Sequence, residues 1–257
     1  MPEAILETEA ILETRGLSRR FGGLRAVADL SLAFEAGRVH AVIGPNGAGK
    51  TTLINLLSGD LPPGEGMILF KGRDVTRTPV HARVRLGMGR SYQKTNIFPE
   101  LTCLENCWLG AQARLPGWLH LMRPAHRFPT VRDGAERALV LCGLEQRADA
   151  VAATLSHGEK RQLEIGMMLA TGPNLLLLDE PLAGMGVEES WRVVELLRRL
   201  RADHTMILIE HDMDAVFSIA DRVTVMVNGA ELETGTPERI RASAAVREAY
   251  LGEEHAA

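Results

Sequence analysis

Aromatic residues make up only 4% of the sequence, too few for the stacking platforms that hold single-stranded nucleic acid. Basic charge is not in excess either. Lysine and arginine number 29 against 33 aspartates and glutamates, a formal net charge of −4, so no global basic footprint for nucleic acid exists. No apolar run approaches the roughly 20 residues that a spanning helix needs; stretches such as Leu175 to Leu178 have the length of a strand. The N-terminus carries glutamates where a secretory leader carries lysine or arginine, so no export signal is expected. Cysteine is scarce. Cys103, Cys107 and Cys142 suit a reducing compartment better than a disulfide framework. Cys103 and Cys107 could share a helix face, but no His or Cys at ligand spacing accompanies them, and packing is the expected role. What the chain does have is apolar content, 46% of 257 residues, enough for one α/β domain or a compact pair of subdomains.

A short duplication opens the chain: Ala4 to Thr8 recurs as Ala10 to Thr14. It is too brief for a solenoid repeat, and residues 1–9 are read as an extension preceding a domain over 10–257. From there to Phe34 apolar and polar residues alternate around a Gly22-Gly23 turn, which predicts antiparallel strands. Val39 to Ile43 is a short apolar strand, followed by a glycine-rich loop and an amphipathic helix through Leu57. Met67 to Phe70 predicts another strand. The stretch from about Thr102 to Thr171 takes on helical periodicity, as in Ala135 to Leu141, with a basic, proline-punctuated segment around 116–129. Strands and helices then alternate: Leu175–Asp179, helix Glu188–Arg201, Thr205–Ile209, helix Met213–Ile219, Val223–Val227. That alternation predicts parallel βαβ packing around a buried sheet. Asn228-Gly229 signals a hairpin, and 237–242 and 245–251 predict short terminal helices.

Gly44-Pro45-Asn46-Gly47-Ala48-Gly49-Lys50-Thr51 matches the P-loop pattern in full, between a predicted strand and a predicted helix. Glycines let backbone amides turn toward phosphate oxygens, and the helix N-terminus adds its dipole. Lys50 would reach the β- and γ-phosphates and the Thr51 hydroxyl would ligate Mg²⁺; Thr52 is counted in the same nucleotide site. Leu175 to Leu178 ends in Asp179-Glu180, two carboxylates at the edge where open α/β sheets bind ligands. Asp179 would hold Mg²⁺ through its water shell, and Glu180 would orient and polarise the attacking water. Alone, an acidic strand end says little, since such residues often close strands. With the P-loop upstream it specifies an NTPase but not which kind.

Leu155-Ser156-His157-Gly158-Glu159, followed by a predicted helix to Leu169, separates the possibilities. Here the sequence resembles the ABC ATPase family, whose signature reads Leu-Ser-Gly-Gly-Gln, departing from it at His157 and Glu159. The resemblance implies that Ser156, through its hydroxyl, and Gly158, through its amide, contact a γ-phosphate. The same residues also read as a helix start, with Ser156 and Glu159 forming a capping box. Three further positions fit the family in order. Phe21 stands where its members place an aromatic against adenine, the alternative being a core phenylalanine. Gln93 stands where a glutamine contacts Mg²⁺ and the water, and His211 matches a switch histidine that senses the γ-phosphate.

The loop Pro181-Leu182-Ala183-Gly184-Met185 lacks the family's usual aspartate. With the Ser-His-Gly-Glu signature and the ending Glu248-Ala249-Tyr250-Leu251-Gly252, it is similar to the ATPases of branched-chain amino acid importers. Urea-importer ATPases and the lipopolysaccharide-extraction ATPase are near that group. The basic insert from Ala113 to Arg132 favours the larger of the two amino acid types.

The resemblance implies a P-loop NTPase fold: a RecA-like α/β core, an N-terminal antiparallel β subdomain, and a helical subdomain inserted over about 94–172. It implies that two ATPase subunits meet head to tail, each lending Ser156 and Gly158 to its partner's ATP, as a homodimer or with a sister chain. Integral-membrane permease subunits, and through them a substrate-binding protein, are the implied partners. The implied place is the cytoplasmic face of the inner membrane. The rivals are a soluble ABC protein acting on nucleic acid, which usually carries two ATPase domains or a long coiled coil, and a P-loop kinase or GTPase, which lacks the signature.

Overall fold

The computed structural model describes residues 9–93, 95–113 and 129–254, with side chains through 250. The first copy of the duplication, the rest of the expected extension apart from Glu9, and most of the basic insert lie outside the described residues.

Two sheets form the frame. The long strand β1 (Ala10–Phe21) turns at Gly22-Gly23 into β2 (Leu24–Leu30). It also pairs antiparallel with β3 (Ala33–Glu35) and β5 (Glu65–Phe70), and β5 pairs with β6 (Arg73–Asp74). The second sheet contains β4 (Val39–Ile43), β7 (Met88–Arg90), β8 (Leu175–Asp179), β9 (Thr205–Ile209), β10 (Arg222–Val227) and β11 (Ala230–Gly235). Its order is β11-β10-β4-β9-β8-β7, parallel from β10 to β7. β4, β8 and β9 are buried at every position, as mainly apolar strands covered on both faces are. Asn228 and Gly229 take φ values of 50° and 81°, the paired positive angles of the tight turn that brings β11 back antiparallel on β10.

The period of two along β8 assigns its faces. Leu175 and Leu177 join a core shared with the antiparallel sheet and α1 (Lys50–Ser58). Leu176 and Leu178 join the core of α3 (Cys103–Gln112), α4 (Pro129–Cys142), α5 (His157–Ala170) and α6 (Val187–Leu200). All three cysteines are buried in that core. Burial pushes the Cys103 and Cys107 thiols up and that of Cys142 to about 12; they pack as small apolar groups. The remaining helices are α7 (Met213–Ile219), α8 (Pro237–Ala242) and α9 (Ala244–Glu254), with α2 (Val80–Leu86) following β6.

α2 and β7, like the two-residue β6, go beyond the sequence reading. α2 buries Arg83 rather than an apolar stripe, so it has no helical hydrophobic period to read. Arg83 donates instead to the carbonyls of Leu56, Leu57, Val75, Thr76 and Thr78. β7 is three residues long and is a strand only because β8 lies beside it, Arg90 in register with Leu177.

Candidate functional site

The P-loop leaves β4 and enters α1. Gly44 has φ 148°, and a Cβ there would lie 2.1 Å from the Met226 carbonyl oxygen; Gly49 has φ 99°, and a Cβ there would lie 2.2 Å from that of Ala26. Both positions demand glycine. Gly49 is the N-cap of α1, with no capping side chain and no acid in the first turn. The amides of that turn are thus left for an external anion. Lys50 Nζ donates to the Gly44 and Pro45 carbonyls at 2.6 and 2.9 Å, so its ammonium lies folded over the loop. Asn46, Gly47 and Thr51 are exposed, Thr52 is half-buried and Ala48 is buried.

Asp179 ends β8 on the α1 side and is only 2% exposed. Its Oδ2 lies 3.6 Å from Arg90 Nη2, while Oδ1 is buried with no hydrogen-bond partner. Burial pushes this carboxyl up, and Arg90, Arg161 and Lys50 pull it back. An unsatisfied carboxylate oxygen reached by the field of the P-loop lysine fits a divalent cation. Arg90 also donates to Ser58 Oγ at 2.6 Å and Asn55 Oδ1 at 2.5 Å and pairs with Asp60, tying Asp179 to the end of the P-loop helix.

Glu180 takes φ 47°, a conformation that L residues adopt at a cost and that clusters at active sites. Its amide donates to the Ile209 carbonyl at 2.9 Å, its carbonyl accepts from Arg161 Nη2 at 2.7 Å, and its Oε2 accepts from Gln93 Nε2 at 2.9 Å. Gln93 and Glu180 are 87 residues apart in the chain and in direct contact. Arg161, buried in α5, donates as well to the carbonyls of Pro181, Asp179 and Tyr92 and to Glu164 Oε2. Glu164 in turn accepts from the Tyr92 amide at 3.1 Å. His211 lies beyond β9 with its ring exposed, its Nδ1 3.7 Å from Glu210. Glu210 is buried; it accepts from the Leu182 and His211 amides at 2.7 and 3.1 Å, joining the post-Glu180 loop to the histidine.

Ser156 caps α5. Its hydroxyl accepts from the Glu159 amide at 3.3 Å, and Glu159 Oε2 accepts from the Ser156 amide at 2.9 Å, so the capping box is real. The Ser156 hydroxyl and the Gly158 amide donate to Glu189, not to the P-loop. His157 lies near the departing loop, its Cε1 3.8 Å from where a Gly184 Cβ would be. Phe21, at the tip of β1, is 46% exposed with the Arg19 guanidinium 5.2 Å from its ring centre, which removes the core alternative. Arg90, Arg161, Glu164, Glu189 and Glu210 escaped the sequence reading. Arg161 adjoins Glu159 and Lys160, Glu189 follows Glu188, and Glu210 precedes His211 and Asp212, so no local pattern singles them out.

The sequence profile of the ABC transporter family matches residues 27–183. The chain belongs to that family. A second profile, for the branched-chain amino acid ATP-binding cassette transporter, matches residues 232–256. The chain is 39% identical to the high-affinity branched-chain amino acid transport ATP-binding protein BraF of Pseudomonas aeruginosa, over 95% of this chain and 98% of that protein. It is 38% identical to LivG of Escherichia coli, a protein of the same description, over 96% and 99%. Among solved structures it is similar to the ADP conformation of an ABC transporter cassette, with TM-score 0.85 and 29% identity, covering 95% of this chain and 99% of that one. This ABC protein therefore binds ATP and hydrolyses it in the service of transport, acting with membrane permease subunits and as a dimer of ATPases. No helix among its described residues is long and apolar enough to cross a membrane.

Proposed function

We propose that this ABC ATPase energises the import of branched-chain amino acids through permease subunits fed by a substrate-binding protein. The observation that carries the cargo assignment is the profile match over 232–256, the segment holding α8 and α9. A family-wide ATPase function does not require it. The post-Glu180 loop and the signature, both departing from the wider family, support the same reading.

In this reading Gly44 to Thr52 cradle the phosphates, Lys50 moves from its loop carbonyls onto the β- and γ-phosphates, and Phe21 stacks on adenine. Asp179, Thr51 and Gln93 would hold Mg²⁺, which would supply positive charge to offset that of the phosphates. Glu180, held by Gln93, accepts a proton from the attacking water, and His211 contacts the γ-phosphate. Ser156, His157, Gly158 and Glu159 face the nucleotide of a second subunit, a copy of this chain or a sister. The assembly lies on the cytoplasmic face of the inner membrane through its permease partners.

Cells deleted for this gene and for redundant leucine systems are expected to lose uptake of labelled leucine, and the wild-type gene to restore it. Unchanged leucine uptake together with lost urea uptake would reassign the cargo and leave the ATPase intact.

A further inference from the structure

The donors that the composite site reserves for a partner's nucleotide are already engaged within the single subunit. One oxygen, Glu189 Oε1, accepts from the Ser156 hydroxyl at 2.8 Å and from the Gly158 amide at 3.1 Å. Glu189 comes from the first turn of α6, a separate element that packs against the signature helix. Its side chain lies directly over Gly158, where an added Cβ would sit 3.0 to 3.2 Å from the Glu189 Cβ, Cγ and Cδ.

We propose that Glu189 is a selectivity residue of the composite site: its carboxylate occupies the signature's anion position in the open subunit, and the γ-phosphate of the partner's ATP must displace it for the dimer to close. This rests on the head-to-tail reading above. A carboxylate oxygen and a phosphate oxygen are chemically alike here, each an anionic acceptor at a helix N-terminus. They cannot share the same hydroxyl and amide. The Ser156 hydroxyl first, and then the Gly158 amide, hold the Glu189 carboxyl below the usual carboxylate range, so the competitor is charged at neutral pH.

Displacement has somewhere to go. Glu189 is only half-buried and is the third residue of α6, whose N-cap Gly186 has no side chain to cap the helix. From that position a carboxylate reaches back to its own helix N-terminus, and the Gly186 amide already draws on it. The carboxylate thus has two seats, one on the signature and one on α6. ADP brings no γ-phosphate and leaves Glu189 on the signature. ATP supplies the stronger anion and frees the donors. After hydrolysis and phosphate release the internal contact re-forms and opposes re-closure.

The test uses the full-length chain carrying Glu180→Gln, with its cognate second ATPase subunit, and follows ATP-dependent dimer closure by light scattering across an ATP titration. Adding Glu189→Ala should lower the half-maximal ATP concentration by about tenfold, within the usual range of coupling between sites. Glu189→Gln, which keeps the shape but not the charge, should shift it in the same direction by less. A contact that only braces α6 against α5 predicts the opposite: its loss would leave closure unchanged or weaken it, and either result overturns the proposal. Ser156→Arg is run in parallel. If it blocks closure while the Glu189 variants do not tighten it, the Glu189 inference fails alone. If Ser156→Arg closes normally, the head-to-tail reading itself fails.

Discussion

At the scale of single residues, Glu180 combines a strained backbone with a carboxylate gripped at one oxygen. A non-glycine residue in the left-handed region costs on the order of 1–3 kcal/mol, here offset by bonds to Ile209, Arg161 and Gln93 that arrive from three separate segments. Such over-determination keeps the carboxylate against Gln93. Glu180→Gln preserves shape and removes the base, so hydrolysis should fall roughly 10²-fold or more while ATP binding persists. Single-turnover hydrolysis and an equilibrium nucleotide titration on the same preparation check both halves. Wild-type turnover would exclude Glu180 as the base. Asp179 and Glu180 were legible because both stand at the end of an apolar strand downstream of a P-loop. Their orientation was not, because it depends on Arg90 and Arg161.

At the scale of elements, the signature helix is more than a surface for a partner. Through Arg161 it bonds the carbonyls of Asp179, Glu180, Pro181 and Tyr92, and Glu164 one turn on accepts from the Tyr92 amide. Movement of α5 is therefore felt at the acidic strand end and at the segment leading to Gln93. Arg161 is 3% exposed and paired with a buried Glu164. Arg161→Met would strand that carboxylate and several carbonyls, costing about 3–5 kcal/mol. Urea denaturation of the purified subunit would read this as a lowered midpoint at unchanged slope. A midpoint within experimental error of wild type would mean water replaces the guanidinium. The capping box at Ser156 and Glu159 was visible in the sequence because its partners are three residues apart. The bonds from Arg161 to backbone carbonyls were not, since they reach to residues 18 to 69 positions away.

At the scale of the whole molecule, Gln93 sits where the sheet core gives way to the helical bundle and touches Glu180 directly. A partner that shifts the bundle would shift this bond. Gln93→Ala should retain ATP binding and some basal hydrolysis but lose stimulation by the assembled transporter and its loaded binding protein. The ratio of stimulated to basal turnover in proteoliposomes measures it. A ratio equal to wild type would remove Gln93 from the coupling route.

The sequence by itself determined the P-loop, the acidic strand end, the signature and nearly every strand of the parallel sheet. Each is encoded by neighbours in the chain: glycine spacing, apolar runs, a cap three residues from its partner. Tertiary structure alone decided what those pieces face. The edge strand β7 exists because β8 pairs with it, and α2 closes around a buried arginine that no hydrophobic period announces. Glu189 reaches the signature donors across 31 and 33 positions of sequence. Such contacts bring together side chains from separate elements, and their specificity lies in the packing of those elements rather than in any local pattern.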